Sequence, residues 1–295
     1  MSIQIVTDTT SDIPEAVLQT LPISMVPVYI TLNGESYKDN VELTRDAFYA
    51  ALPTADPHPT TAAPSPAQYV QVYDQLADQG ATVIFSIHLS QTLSAVYQSA
   101  ESAAKQFDRV PVHPVDSGNL SMGLGLIVIK AAQAAAEDRS VNEVKKTIED
   151  SILRAYAFAK LDTIDYLLRG GRMSAIQYNV VSVLGIKPIL KMNNHVSRME
   201  IARTKRKAFT KVLSVAMDKY PSSELFGITH ANAPEQVNEL MQKLKQAYPD
   251  LPEPFVSAVT PALGAHVGPG ALCVNWIESA IKQEPEKKGL RKWLS

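Results

Sequence analysis

A recurring order of short apolar run, hydroxyl-rich loop and helix-forming segment constrains this chain more than any other feature. Ile3-Gln4-Ile5-Val6 alternates and is β-branched, which reads as a strand. Thr7-Asp8-Thr9-Thr10-Ser11-Asp12 follows it. Asp12, Pro14 and Glu15 then have the spacing of an N-cap, a first-turn proline and a capping box. Ala81-Thr82-Val83-Ile84-Phe85-Ser86-Ile87 repeats the grammar, with a helix expected from about Ser94. Val110-Pro111-Val112-His113-Pro114-Val115 reads as a strand whose prolines place it at an edge. Asp116-Ser117-Gly118-Asn119 leads from it into a long helix rich in Gly and Ala, on which Leu124, Ile127, Val128 and Ala131 form one core-facing stripe. Strands alternating with helices imply an α/β protein with mostly parallel sheets flanked by helices. Ligands of such sheets bind beyond the carboxyl ends of the strands, where polar loops gather.

The second half has a different texture. Residues 141–168 read as one helix, ended by Gly170-Gly171 as a C-cap. Residues 185–190 and 196–204 read as sheet, 205–219 and 235–248 as surface helices, and 226–230 and 254–259 as strands. A length of 295 residues suits two domains, and the expected division is 1–160 and 161–295, both α/β.

Several function classes are disfavoured. Twenty-eight Lys and Arg against 30 Asp and Glu leave a net charge of −2, without the basic face that nucleic-acid binding needs. One cysteine, Cys273, lies in an apolar run and reads as a small buried hydrophobe. No Walker A sequence and no Gly-x-Gly-x-x-Gly after a strand occurs. The six histidines are scattered, without zinc-ligand spacing, so no metal site is expected. There is no Gly-x-Ser-x-Gly elbow, although a Ser-His pair assembled from distant segments stays open. Residues 122–136 are interrupted by Lys130 and Gln133 and fall short of a membrane span, and the first residues lack the pattern of a signal peptide. A cytoplasmic location is expected.

What remains is a set of loops with weakly charged donors. Thr7 to Ser11, Ser90 to Ser94 and Ser117 to Ser121 each follow a strand. Thr60-Thr61-Ala62-Ala63-Pro64 reads as a proline-flanked turn, and Gly264-Ala265-His266-Val267-Gly268-Pro269-Gly270 as a glycine-rich loop with one imidazole. Hydroxyls, backbone N–H groups and an imidazole suit a carboxylate that is oriented without a strong charge clamp.

At this point the residues resemble a family. Thr7-Asp8-Thr9-Thr10-Ser11-Asp12, Thr61-Ala62-Ala63-Pro64-Ser65, Leu93-Ser94-Ala95-Val96, Val115-Asp116-Ser117, Gly170-Gly171-Arg172-Met173-Ser174 and His266-Val267-Gly268-Pro269-Gly270 are similar, in order and spacing, to the successive motifs of the DegV family. The resemblance implies a bacterial fatty-acid-binding protein of two α/β domains with a ligand tunnel between them, the fatty acid being a bound ligand and not a cofactor. It implies no catalysis by the chain itself, and a fatty acid kinase as partner, which phosphorylates the bound carboxylate with ATP. The carboxylate contacts it implies are Thr61, Ser94 and His266, with backbone N–H groups of Ala62 and Ala95. Ala62-Ala63 and Ala95-Val96 depart from the commoner Ser-Gln and Gly-Thr, which removes hydroxyl and amide groups near the head.

Burial of roughly 14 methylenes contributes about 11 kcal/mol before the costs of binding, so the tail supplies affinity and the head needs only positioning. Arg172 is a candidate contact for a partner or a lipid phosphate, or one half of a surface ion pair. Arg203-Thr204-Lys205-Arg206-Lys207 is the one basic run, a solvated helix start or a docking patch for an acidic kinase surface or an anionic membrane. The rival reading is an enzyme acting on an acyl or phosphoryl substrate in the interdomain cleft, with His266 as base and Ser94 or Thr61 as nucleophile or orienter. It is disfavoured because no carboxylate is evidently placed to orient that histidine.

Overall fold

The computed structural model describes residues 2–173, 185–193 and 195–280; Ser174 and residues 281–295 of the expected second domain lie outside the described residues. In chain order the strands are β1 (Ile3–Asp8), β2 (Ile23–Val26), β3 (Tyr29–Leu32), β4 (Glu35–Lys38), β5 (Thr60–Ala62), β6 (Val83–His88), β7 (Val112–Asp116), β8 (Ala155–Lys160), β9 (Lys187–Asn193), β10 (His195–Ala202), β11 (Ser223–His230), β12 (Phe255–Ala258) and β13 (Leu272–Glu278). The helices are α1 (Glu15–Leu18), α2 (Arg45–Ala51), α3 (Pro66–Asp78), α4 (Val96–Gln106), α5 (Ser121–Ala136), α6 (Val141–Arg154), α7 (Asp165–Arg169), α8 (Lys205–Lys219), α9 (Pro234–Ala247) and α10 (Pro261–Val267). Among the described residues, no helix is long and apolar enough to cross a membrane.

The first sheet is parallel throughout, in the order β2-β1-β6-β7. Every residue of β6 is buried, as a strand covered on both faces requires. β7, with Pro114, is the edge.

The second sheet corrects the expectation of mostly parallel pairing. Its order is β10-β9-β8-β13-β11-β12, and only β11 and β12 run parallel. Its central strand pairings are antiparallel, which short connections such as that between β9 and β10 permit. Residues 141–168 are likewise not one helix. α6 stops at Arg154, and Ala155-Tyr156-Ala157-Phe158-Ala159-Lys160 continues as β8, paired on one side with β13 and on the other with β9. Alanine favours helix locally, but two flanking strands satisfy this backbone and override that preference. The second sheet therefore begins at Ala155.

α5 packs against β1 and β6 of the first sheet and against β8, β11 and β13 of the second. It is buried nearly all round, including Leu124, Leu126, Ile127 and Ile129, because both sheets cover it. A third, antiparallel sheet, β4-β3-β5, leans on α10. Residues 60–62 are thus a strand rather than a turn: Thr61 lies opposite Ile30 and Ala62 opposite Tyr29.

Candidate functional site

A cavity of about 240 Å³ lies between the elements of the two main sheets. Ala157, Ala159, Leu190 and Met192 form one wall, from neighbouring strands β8 and β9, and Leu89, Leu93 and Val96 contribute to another. Cys273 also lines it, buried as expected, and burial pushes its thiol up to about 12. The surface is otherwise apolar except where Thr61, Ser94, Arg172, His266 and Thr10 reach it.

Thr61 is fixed by the pairing of β5 with β3. His266 sits not in a loop but in the last turn of α10, and its Nε2 lies 3.0 Å from Thr61 Oγ1. α10 approaches α2 closely because residue 264 is glycine: a Cβ there would stand 2.6 Å from the Tyr49 hydroxyl. His58 Nε2 donates to the Ala265 carbonyl at 3.0 Å on the same helix. Burial, with Arg172 and His58 adding positive potential, pushes the His266 imidazole down to about 4, so it is neutral near pH 7.

Its Nδ1 is buried and has no hydrogen-bond partner among the described residues. The neighbour there is Gly170, where a Cβ would come within 2.2 Å of Nδ1. Gly170 is the C-cap of α7 and Gly171 the left-handed residue after it, so the Gly-Gly pair ends a helix as expected and also makes room for the ring.

Ser94 does not cap α4. The N-cap is Ala95, without a side-chain cap bond, and Ser94 N–H donates back to the Ser90 carbonyl. The hydroxyl of Ser99 in α4 donates to the Pro64 carbonyl at 2.5 Å, which ties the Thr61 segment to the helix that follows Ser94. Ala62 and Ala95 line the cavity beside them.

Arg172 lines the same cavity. Its Nη1 donates to the Gly170 carbonyl at 2.8 Å and Nε to the Leu93 carbonyl at 3.4 Å. Among the described residues it has no carboxylate partner, and burial lowers its basicity. The polar corner is therefore not built of neutral donors alone. Of the basic run, Lys205 pairs with Asp162 at 2.7 Å and Arg206 with Glu239 at 2.8 Å; neither these nor Arg203 line the cavity.

Sequence reasoning passed over Thr10. It was legible only as one of four hydroxyl residues between Thr7 and Ser11; the inward turn at Thr9–Ser11 selects it. Asp8 organises this loop from within. Its carboxylate accepts Thr10 N–H at 3.1 Å, the Thr10 hydroxyl, Leu89 N–H at 3.2 Å and His88 Nδ1 at 3.0 Å. His88 Nε2 is 2.6 Å from Ser86 Oγ, which is 2.8 Å from the Tyr73 hydroxyl. This Ser-His-Asp series is wholly buried and none of the three lines the cavity, so it braces Thr10 and faces no substrate.

Fold and site together define an α/β protein with two main sheets and a small third one, enclosing an apolar cavity with a polar, cation-bearing corner. The model of the family described as "Uncharacterised protein, DegV family" matches residues 2–279. The chain belongs to the DegV family. A DegV domain-containing protein of Listeria innocua is 33% identical over 279 residues, spanning 93% of this chain and 98% of that protein. The crystal structure of DegV, a fatty acid binding protein from Bacillus subtilis, superposes with a TM-score of 0.85 at 29% identity, covering 94% of this chain and 99% of that one. A fatty-acid-binding DegV family protein from Thermus thermophilus gives 0.84 at 28% identity, covering 94% and 100%.

Proposed function

We propose that this chain binds a long-chain fatty acid, with its tail along the apolar walls and its carboxylate at Thr61, Ser94 and His266, and that it presents this carboxylate to a fatty acid kinase. The observation that carries the reading is the Thr61–His266 hydrogen bond at the one polar corner of an otherwise apolar cavity. Family membership supports it, since DegV structures from Bacillus subtilis and Thermus thermophilus are fatty acid binding proteins.

The chemistry follows from the donors. Nδ1 of His266 has no acceptor among the described residues, which favours the tautomer with the ring proton on Nε2, donated to Thr61 Oγ1. The Thr61 hydroxyl proton is then free for an anion. Arg172 offsets the carboxylate charge without a protein carboxylate to compete for it. In the kinase step, one carboxylate oxygen attacks the γ-phosphorus of ATP, the bond to the bridging oxygen breaks, and acyl phosphate and ADP result. This chain supplies no group to that transfer beyond orientation. An enzyme reading with His266 as base is not favoured, because no carboxylate orients the ring among the described residues. With Lys205 and Arg206 paired within the chain, Arg172 and exposed Arg203 are the stronger candidates for the partner or its phosphate.

Mass spectrometry of the denatured, purified protein tests the reading. A co-purifying acid near one equivalent is expected. An empty protein that also fails to bind added palmitate or oleate would overturn it.

A further inference from the structure

α10 delivers His266 to the cavity, and its amino end is held by segments far away in the chain. Thr260 N–H donates to Asp12 Oδ1 at 2.9 Å, and Ala262 N–H donates to Asp39 Oδ1 at 2.8 Å. Between them stands Pro261, which has no N–H. Two of the unpaired donors that open this helix are thus taken by two carboxylates from the first 40 residues.

Asp12 does not cap α1, where Pro14 is the N-cap, and this corrects its sequence assignment. Its second oxygen instead accepts the Ser121 hydroxyl at 2.6 Å, and Ser121 Oγ lies 3.0 Å from Thr229 Oγ1. Asp12 therefore joins the loop after β1, the start of α5 and the start of α10, and through Ser121 the end of β11. Both residues of the central bond are left-handed, with φ of 50° for Asp12 and 52° for Ser121. That conformation costs free energy for any residue with a Cβ and persists where surrounding contacts impose it. Asp39 is fully buried and Asp12 nearly so, and Arg45 is the cation that faces both.

From Thr260 to His266 the helix rises about 9 Å, so a tilt at its start moves the imidazole directly. We propose that Asp12 and Asp39 are positioning residues for the carboxylate corner: by holding the start of α10 they set the His266 ring against Thr61. This rests on the fatty-acid reading of the cavity. Neither carboxylate lines the cavity, so both act through the helix.

The experiment compares palmitate with 1-hexadecanol, which shares the tail and lacks the carboxylate. Asp39→Ala is expected to weaken palmitate about tenfold while hexadecanol changes less than about twofold. Asp39→Asn, whose carboxamide oxygen still accepts the Ala262 N–H, should restore most of the palmitate affinity. Thr260→Pro removes the other N–H, together with the Thr260 hydroxyl beside Asp39, at a φ of −65° that proline adopts, and should reproduce the selective loss. Equal losses for both ligands, or none, in Asp39→Ala and Thr260→Pro would overturn the positioning role. The His266 ring-proton resonances of the ligand-free protein give a readout independent of lipid. They should shift in Asp39→Ala and Thr260→Pro and return in Asp39→Asn. If the wild-type protein bound neither ligand, the cavity reading would fail, and unchanged His266 resonances would separately overturn the positioning role.

Discussion

Thr61 and His266 are 205 positions apart and share a 3.0 Å hydrogen bond, one from a strand of the small antiparallel sheet and the other from the last turn of α10. The imidazole holds the Thr61 oxygen, which leaves the Thr61 hydroxyl proton to face the cavity. Removing either leaves the partner without its bond, so Thr61→Ala and His266→Ala should each weaken fatty-acid binding by about tenfold, near the ~1.4 kcal/mol of one hydrogen bond to an ion. The double variant should lose little more than either single one, because the two act as a unit. Calorimetric titration of palmitate into the four proteins checks this; fully additive losses count against the pair.

Gly170 leaves room for the imidazole edge. Gly170→Ala puts a methyl where Nδ1 now lies and forces the ring or α7 to move, a cost of about 1–3 kcal/mol by the measure of overpacked cores. Reduced palmitate affinity together with a lowered melting temperature is expected. Unchanged binding would show that the ring has space to shift.

The small side chains of β8 set the depth of the cavity wall. Ala157→Leu and Ala159→Leu fill space that a tail would occupy, at a loss of about 0.8 kcal/mol for each methylene excluded. Affinity for an 18-carbon acid should fall more than affinity for a 12-carbon acid. Equal effects on both would place the tail elsewhere.

Burial raises Asp12 to about 7 and Asp39 to about 6, against an ordinary 3.8. Arg45 and Tyr49 of α2, Ser121 of α5, Cys273 of β13, Thr9 and Thr260 face the pair. Both acids hold protons in the folded state that the unfolded chain has released. Their contribution is complete below 3.8 and is lost as pH rises through about 6 and about 7. Asp12→Asn cannot ionise, so its melting temperature relative to wild type should climb from about pH 5 to about pH 8. A constant difference across that range would contradict the shifted value.

His266 works in the opposite sense. Its folded value of about 4 lies below the ordinary 6.5, so its contribution is complete above 6.5 and is lost as pH falls toward 4. The ring-proton signal should show no inflection near neutral pH in an NMR titration. A midpoint near 6.5 would mean that the ring is solvated.

Local pattern was enough to read several of the strands and helices. Ile3 to Val6, the edge strand with Pro114, and the helices at 205–219 and 234–247 are legible because periodicity, proline and capping are short-range. Thr61, Ser94 and His266 were legible only as an ordered set of motifs, since any one hydroxyl loop resembles the next. Tertiary structure alone decided the rest. Ala155–Lys160 is a strand because β13 and β9 lie on either side of it, and its sequence has no sign of those neighbours. Asp12 has the spacing of a local cap, yet its carboxylate reaches Thr260, because α5 and α10 bring better donors to a site closed to water. A buried polar group takes whichever partner packing brings within reach, and packing is settled by the whole chain at once.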